Sequence, residues 1–530
     1  MKNKLDDFKL SYYFILVSLI FLAMIGSIFV GSSVLFIFKI PITKINFLIF
    51  PLIAILFIKL AFKKNNKDIN WSLLIVILIS FYIVNIGISI GCNLIWDYSY
   101  DSLAYHQEGV IRLINGWNPF YESNNDSINL WVNHYAKAPW IFAATIAKIT
   151  GHIESGKILS VLIPLILGVF SFGVFYIITK KKIVLSSILA ILLVINPVNI
   201  GQSFTYYVDS LLGCYILFLL MILYLIIFTD GLTYFKYFSM FNIAIFMCNI
   251  KFTGLAYAGG ILGMYFIYVL LTAKAKKKLR IFAFLLISLV ITVGVIGFNP
   301  YITNTINKGN PLYPLSGEDK IDIMTPNTPE NFRFDSEFRK AYESLLAYPT
   351  NENYKGNIIT GKDMFKVDKN VYKFYAGVDP RVRGFGIYST IFLPISLILV
   401  ILLIIICKNR KIQTTSILAL IGLISVTLYG GEFWWARYVA YIWLFPVLVS
   451  GLLAINKKIY VKLLGYLMIV LLFINSVMII PYTAEYKLEQ STLIKAHIFE
   501  QKQPIKITKD NFQYSYENKA KEYNIDYILN

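Results

Sequence analysis

Long uninterrupted blocks of apolar residues constrain this chain before any other feature does. Crossing about 30 Å of hydrocarbon as a helix takes about 20 residues. Blocks near that length recur at about 11–38, 45–62, 71–91, 157–179, 183–200, 208–229, 235–250, 252–272, 281–300, 385–407, 412–430, 438–455 and 459–480, which makes about thirteen spans by length. Backbone N–H and C=O groups cannot stay unpaired in lipid, so helices are the form such segments take. The expected fold is therefore an all-α polytopic membrane protein, a bundle of about thirteen transmembrane helices. Composition agrees: 15% of residues are charged and 57% hydrophobic, against roughly 25% charged in an average soluble chain. The first block is too long for the apolar region of a cleaved secretion signal, and no small-residue cleavage site follows it, so it reads as a retained helix.

The net charge of +19 raises nucleic acid as a partner, and its placement argues against one. Short basic clusters fall between alternate spans: Lys63-Lys64 with Lys67, Lys180 to Lys182, Lys274 to Arg280, Lys408 to Lys411, and Lys457-Lys458. A chain that starts inside and crosses about thirteen times puts them all on one face, as the positive-inside rule requires. Lys39 and Lys44, in the first outer turn, dissent. The expectation is a multi-pass protein of the cell membrane, with membrane lipids rather than nucleic acid around it. Its N-terminus would be cytoplasmic and its C-terminal tail extracytoplasmic. Cys92, Cys214, Cys248 and Cys407 lie in or beside the apolar blocks without CxxC spacing, so neither a disulfide framework nor a zinc site is expected.

On this topology the chain divides into two N-terminal helices (1–70), a transmembrane core (71–300) with a first outer loop at 92–156, a second outer loop (301–384), C-terminal helices (385–480) and an outer tail (481–530). In the first loop, Ser102–Leu113 reads as an amphipathic helix with a Ser/Asp cap, stopped by Asn115-Gly116-Trp117-Asn118-Pro119. Pro139–Ile149 again has helical spacing. Trp96, Trp117, Trp131 and Trp140 gather in this loop, as interfacial anchors do. The second loop holds one helical stretch, about Ser336–Ala347. Alternation in Pro504–Lys509 and Ile525–Leu529 suggests short strands. Together these outward segments would form a small mixed α/β cap.

Ionisable groups at membrane depth are costly, so each is a functional candidate. Asp97 and Asp101 follow the third span in Trp96-Asp97-Tyr98-Ser99-Tyr100-Asp101-Ser102-Leu103-Ala104-Tyr105-His106. Asp209 opens the sixth span, Lys251 interrupts the junction of two spans, and Glu432 and Arg437 bracket a short outer turn. All these turns open on one side. A carboxylate able to take a proton from a hydroxyl, opposite cations able to receive a departing phosphate, fits glycosyl transfer from a polyprenyl phosphate. Direct inversion needs only one base. Asp97 and Asp101 also have the signature of helix caps, and Lys251 and Arg437 fit cations that snorkel to the interface. His106 fits packing as well as function. Arg381 and Arg383, in Asp379-Pro380-Arg381-Val382-Arg383-Gly384, have the chemistry of phosphate binders.

The run Asp101-Ser102-Leu103-Ala104-Tyr105-His106, followed by Asn115-Gly116-Trp117-Asn118-Pro119, resembles the first outer loop of bacterial GT-C superfamily glycosyltransferases. These are related to protein O-mannosyltransferases (glycosyltransferase family 39) and lipid A aminoarabinose transferases. Tyr207-Val208-Asp209, Asn299-Pro300-Tyr301 with Gly309-Asn310-Pro311-Leu312-Tyr313-Pro314, and Trp434-Trp435-Ala436-Arg437-Tyr438 share the resemblance, which spans about 71–455. It implies a GT-C-like bundle and a polyprenyl-phosphate sugar donor. It also implies a glycan, lipid or protein acceptor in the cell envelope, and Asp101 as the catalytic base with Asp97 second. Asp209, Lys251, Arg437, His106, Tyr105, Glu432, Arg381 and Arg383 would line the substrates. A divalent cation, Mg or Mn, is left open as cofactor. Arginines in the large outer loop keep a lipid-linked oligosaccharide polymerase or ligase as an alternative. A flippase or transporter fits less well, because no internal repeat is visible and the charges cluster at the outer ends.

Overall fold

The computed structural model describes residues 3–4, 9–351 and 369–530; the remainder of the 301–384 loop, 352–368, lies outside them. Among the described residues, ten helices are long and apolar enough to cross a membrane by length and composition. In chain order the principal helices are α1 (Lys9–Ile37), α2 (Lys44–Lys64), α3 (Trp71–Leu94), α4 (Gln107–Ile114), α5 (Ala138–Thr150), α6 (Leu159–Ile178), α7 (Ile183–Val194), α8 (Asp209–Phe228) and α9 (Thr233–Cys248). There follow α10 (Phe252–Thr272), α11 (Ala275–Leu289), α12 (Ser389–Ile405), α13 (Arg410–Gly430), α14 (Leu444–Ala454), α15 (Ile459–Val477), α16 (Ile480–Phe499) and α17 (Gln513–Glu522).

A helix occupies every block read as a span; with the 3₁₀ and π turns that extend α6, α11 and α14 counted in, α7, α9 and α12 are the ones too short to stand among the ten. Hydropathy counts apolar residues without locating the turns that shorten a helix. Asn196-Pro197 ends the run that α7 begins, with the Asn196 side chain accepting from Val198 N to cap the next short helix. A further departure is α16. It continues from α15 almost without a break where the outer tail was expected to begin.

Lipid tails are as apolar as leucine, so helices in a membrane are joined chiefly by close packing and interhelical hydrogen bonds. The buried helix α1 runs along α6, where Ser11 Oγ donates to Gly173 O at 2.7 Å. A Cβ on Gly173 would lie 2.7 Å from Ile15 Cγ1. The α10–α13 crossing uses the same device: a Cβ on Gly260 would run into Val426 Cγ2. Outward faces of α2, α3, α13 and α15 expose Leu and Ile side chains such as Leu56, Ile83, Ile424 and Leu467, as a lipid-facing surface does.

The tryptophans require a correction. Trp96, Trp117 and Trp140 are buried within the protein, so they are packing groups rather than interfacial anchors; Trp131 is half-buried. Trp140 Nε1 donates to His106 Nδ1 at 2.7 Å, and Trp140 stacks on Tyr135. Large aromatic area and one donor suit an interior as well as an interface.

The C-terminal segment is part of the packed body. Ile505–Ile507 pairs in parallel with Tyr527–Leu529, inside the two stretches expected to be strands, with α17 between them. The helix expected near 336–347 spans Glu337–Leu346, and Ser336 Oγ caps it through Arg339 N.

Candidate functional site

Four of the expected residues meet at helix starts. Asp209 is the first residue of α8, Lys251 precedes α10, and Arg437 lies in the first turn of a 3₁₀ helix, Ala436–Trp443. Asp101 lies at the start of a helical segment whose first turn, Ser102–His106, is π-helical.

Arg437 is the hub. Its Nη1 is 3.7 Å from Asp101 Oδ2 and 3.5 Å from Asp379 Oδ2, and its Nε is 3.8 Å from Asp209 Oδ2. These are charge contacts longer than hydrogen bonds, and the buried Nε has no hydrogen-bond partner. The guanidinium is framed by Trp435, Tyr438 and Tyr207, with ring centroids at 4.7, 5.0 and 5.6 Å. Its partner acids are each held elsewhere with different firmness. Lys251 Nζ donates to Asp209 Oδ1 at 2.8 Å, and Gln202 Nε2 to Oδ2 at 3.3 Å. Asp379 accepts from Trp435 Nε1 at 2.6 Å and pairs with Arg381 Nε at 3.2 Å. Asp101 makes no capping hydrogen bond and keeps 27% of its side chain exposed, against 6% and 2% for Asp209 and Asp379. It is the carboxylate of the three with room for a ligand.

Asp97 is different. Its oxygens accept from Ser99 N at 3.0 Å, Ser99 Oγ at 2.6 Å and Tyr206 N at 2.8 Å, and it is 1% exposed. It ties the first loop to the turn before α8. The cap chemistry weighed for both aspartates describes neither: Asp97 bonds Ser99 ahead of the helix, whose first bond goes to Ser99 O, and Asp101 makes no capping bond.

Burial raises the Asp101 carboxyl above its ordinary range, opposed by Arg437. Burial disfavours the Lys251 ammonium, yet the adjacent Asp209 carboxylate and Tyr438 together outweigh it and the pKa rises, so the cation is held charged. Burial drives His106 down to about 3; it is neutral and accepts from Trp140. Burial also raises Tyr105, which feels the Asp101 charge.

Asp209, Lys251, Glu432 and Arg437 line one cavity of about 460 Å³. One wall is apolar, from Leu212, Gly213 and Ile216 of α8, and the 315–324 segment of the second loop contributes Lys320 and Asp322. Asp101 is not among its lining residues and reaches it through Arg437. Glu432 accepts from Trp434 Nε1 and lies 3.9 Å from Lys340. Burial raises its carboxyl.

Arg381 and Arg383 are turned on the protein. Arg381 donates to Asn327 O at 2.8 Å and Asn327 Oδ1 at 3.0 Å and lies over Trp435. Arg383 donates to Ala347 O and Ile387 O. Asp379 was missed as a site residue although it stands two positions before Arg381. The acid–arginine alternation in that run was the available signal. Among the described residues, no group of three or more His, Cys, Asp and Glu side chains is arranged to hold a metal ion.

The Asp101 segment is braced from the C-terminus. A π-turn shifts the helical ladder by a residue, and Ser515 Oγ donates to Leu103 O at 2.7 Å within it. Lys519 Nζ, fully buried, donates to Gln107 Oε1 at 2.7 Å and pairs with Glu154 Oε1 at 2.9 Å. Asn511 donates to Tyr100 Oη at 3.0 Å.

The chain matches no protein-family model, and no curated protein matches it.

Proposed function

We propose that the protein transfers a sugar from a polyprenyl-phosphate donor to an acceptor hydroxyl at the outer membrane face, with inversion at the anomeric carbon. The observation that carries this reading is Arg437. It stands between the solvent-reachable Asp101 and the Asp209–Lys251 pair, beside a cavity with one apolar and one charged wall. A lipid phosphate has the same division of polarity. The starts of α8 and α10 add the positive ends of two helix dipoles.

Asp101 accepts the acceptor hydroxyl's proton as the new oxygen–carbon bond forms on one face of the sugar. The bond from the anomeric carbon to the phosphate oxygen breaks on the other, and its electron pair leaves with the phosphate. Arg437 and Lys251 face the charge that develops there, which is where preorganised cations lower a barrier most. The basic clusters then lie on the cytoplasmic side, with about thirteen crossings if α7, α9 and α12 are included as short spans. The acceptor's class and any Mg or Mn requirement are separate measurements. Arg381 and Arg383, which kept a polymerase or ligase open as the alternative, donate to Asn327, Ala347 and Ile387, which favours the transferase reading.

The test is reconstitution in proteoliposomes with polyprenyl-phosphate sugars. Release of polyprenyl phosphate with glycosylation of an added acceptor is expected. Translocation of the lipid with no sugar released would overturn the reading.

A further inference from the structure

A second large recess lies at the other end of α8. That helix begins at Asp209 and has 20 residues, so its far end is about 30 Å from the site. There, α2, α9 and α11 enclose a cavity of about 1120 Å³.

Each of the three helices turns one stripe toward it, at the i, i+3, i+4, i+7 spacing of a single helix face. From α2 come Phe57, Leu60, Ala61 and Lys64, with Lys63 adjacent. From α9 come Tyr234, Tyr237, Phe238 and Phe241. From α11 come Lys277, Arg280, Ile281 and Phe284. On α2 the cations are the last residues and on α11 they are near the first, so both stripes run from charge at the mouth to apolar side chains at depth. Phe57 and Leu60 are each 55% exposed, an apolar wall that water covers poorly.

Among the described residues, cations outnumber acids along this lining. The first turn of α11 contains no acid, although a helix start favours anions and disfavours the lysines gathered there. Among the described lining residues Asp230 is the only acid. Lys236 is turned inward, donating to Thr229 O at 2.9 Å and Leu225 O at 3.2 Å, which leaves Lys63, Lys64, Lys277 and Arg280 at the mouth.

We propose that this recess is a binding site for an anionic glycerophospholipid of the leaflet opposite the transfer site. Its phosphate lies among Lys63, Lys64, Lys277 and Arg280, and one acyl chain lies along Phe57, Phe241 and Phe284. A free anion would have no use for the apolar depth, and a zwitterionic lipid would leave the cations unanswered. The site does not depend on the transfer reaction.

The test is native mass spectrometry of the full chain in detergent, titrated with phosphatidylglycerol and with phosphatidylcholine of the same acyl chains. Phosphatidylglycerol is expected to bind about ten-fold or more tightly. K63Q/K64Q and K277Q/R280Q are each expected to remove most of that preference, K63R/K64R to keep it, and the remote K457Q/K458Q to leave it unchanged. Equal binding of the two lipids, or an equal loss in K457Q/K458Q, overturns the proposal. So does displacement by millimolar inorganic phosphate, which would mark a site for a free anion. For variants that fail to fold, wild-type protein is cross-linked with phosphatidylglycerol carrying a photoreactive acyl chain. Adducts on peptides containing Phe57, Phe241 or Phe284 support the site, and adducts only elsewhere overturn it.

Discussion

Arg437 Nη1 stands 3.7 Å from Asp101 Oδ2, close enough to set the charge on the carboxylate and too far to occupy it with a hydrogen bond. Arg437 keeps a similar distance from Asp209 and Asp379, so what separates Asp101 from the other acids is that no closer donor reaches it among the described residues. Asp209 and Asp379 each have a lysine, arginine, amide or indole donor in direct contact.

On the proposed reaction, the pH dependence of transfer follows from this pair. A base works deprotonated, so activity falls as pH drops through its pKa. Burial raises Asp101 above the roughly 3.9 of a free aspartate, which moves the acid limb to higher pH. Arg437 acts the other way, so Arg437→Ala is expected to move that limb higher still, and Arg437→Lys to hold it near the wild-type position. Residual rates measured from pH 4 to 8 check the order. A lower limb in Arg437→Ala would contradict it.

Asp97→Asn is expected to act on stability. The amide keeps one acceptor but turns an N–H toward donors that Asp97 now satisfies at Ser99 and Tyr206. A buried mismatch of this kind costs about 1–3 kcal/mol. Thermal unfolding in detergent should register the loss.

Lys519→Ala leaves Glu154 with Lys157 but without its second cation. Breaking a fully buried ion pair typically costs about 3–5 kcal/mol. Because Lys519 also holds Gln107, the segment bearing Asp101 should loosen with it. Hydrogen exchange over residues 100–110 is expected to speed up, while that of α15 stays unchanged.

At the α10–α13 crossing, Gly260→Leu would drive a side chain into Val426. Overpacking costs typically about 1–3 kcal/mol, so the thermal midpoint should fall, whereas Gly263→Leu, where a Cβ meets nothing within 4 Å, should leave it in place.

Much of this was readable from residue order because charge is costly near lipid. Asp101, Asp209, Lys251 and Arg437 stood out as ionisable groups at the ends of apolar blocks, and they do converge. Asp379 did not stand out, because the 301–384 loop mixes acids, bases and turn residues. Its return across Trp435 toward Arg437 is what brings that aspartate to the site. Tryptophan is equally at home in an interface and in a core, which is why Trp96 and Trp140 were misplaced. Neither α16 nor the π-turn at Ser102–His106 has a periodicity that distinguishes it from a frayed helix end. The orientation of the bundle has its own check: a reporter fused after Glu122 is expected outside the cell, and a cytoplasmic reporter would invert the whole assignment.

The most direct measurement compares wild type with Asp101→Asn in proteoliposomes supplied with a polyprenyl-phosphate sugar and an acceptor. The substitution is expected to reduce turnover by about 10²–10⁴-fold, with the thermal midpoint unchanged and polyprenyl phosphate still bound. Wild-type turnover by Asp101→Asn would contradict the account.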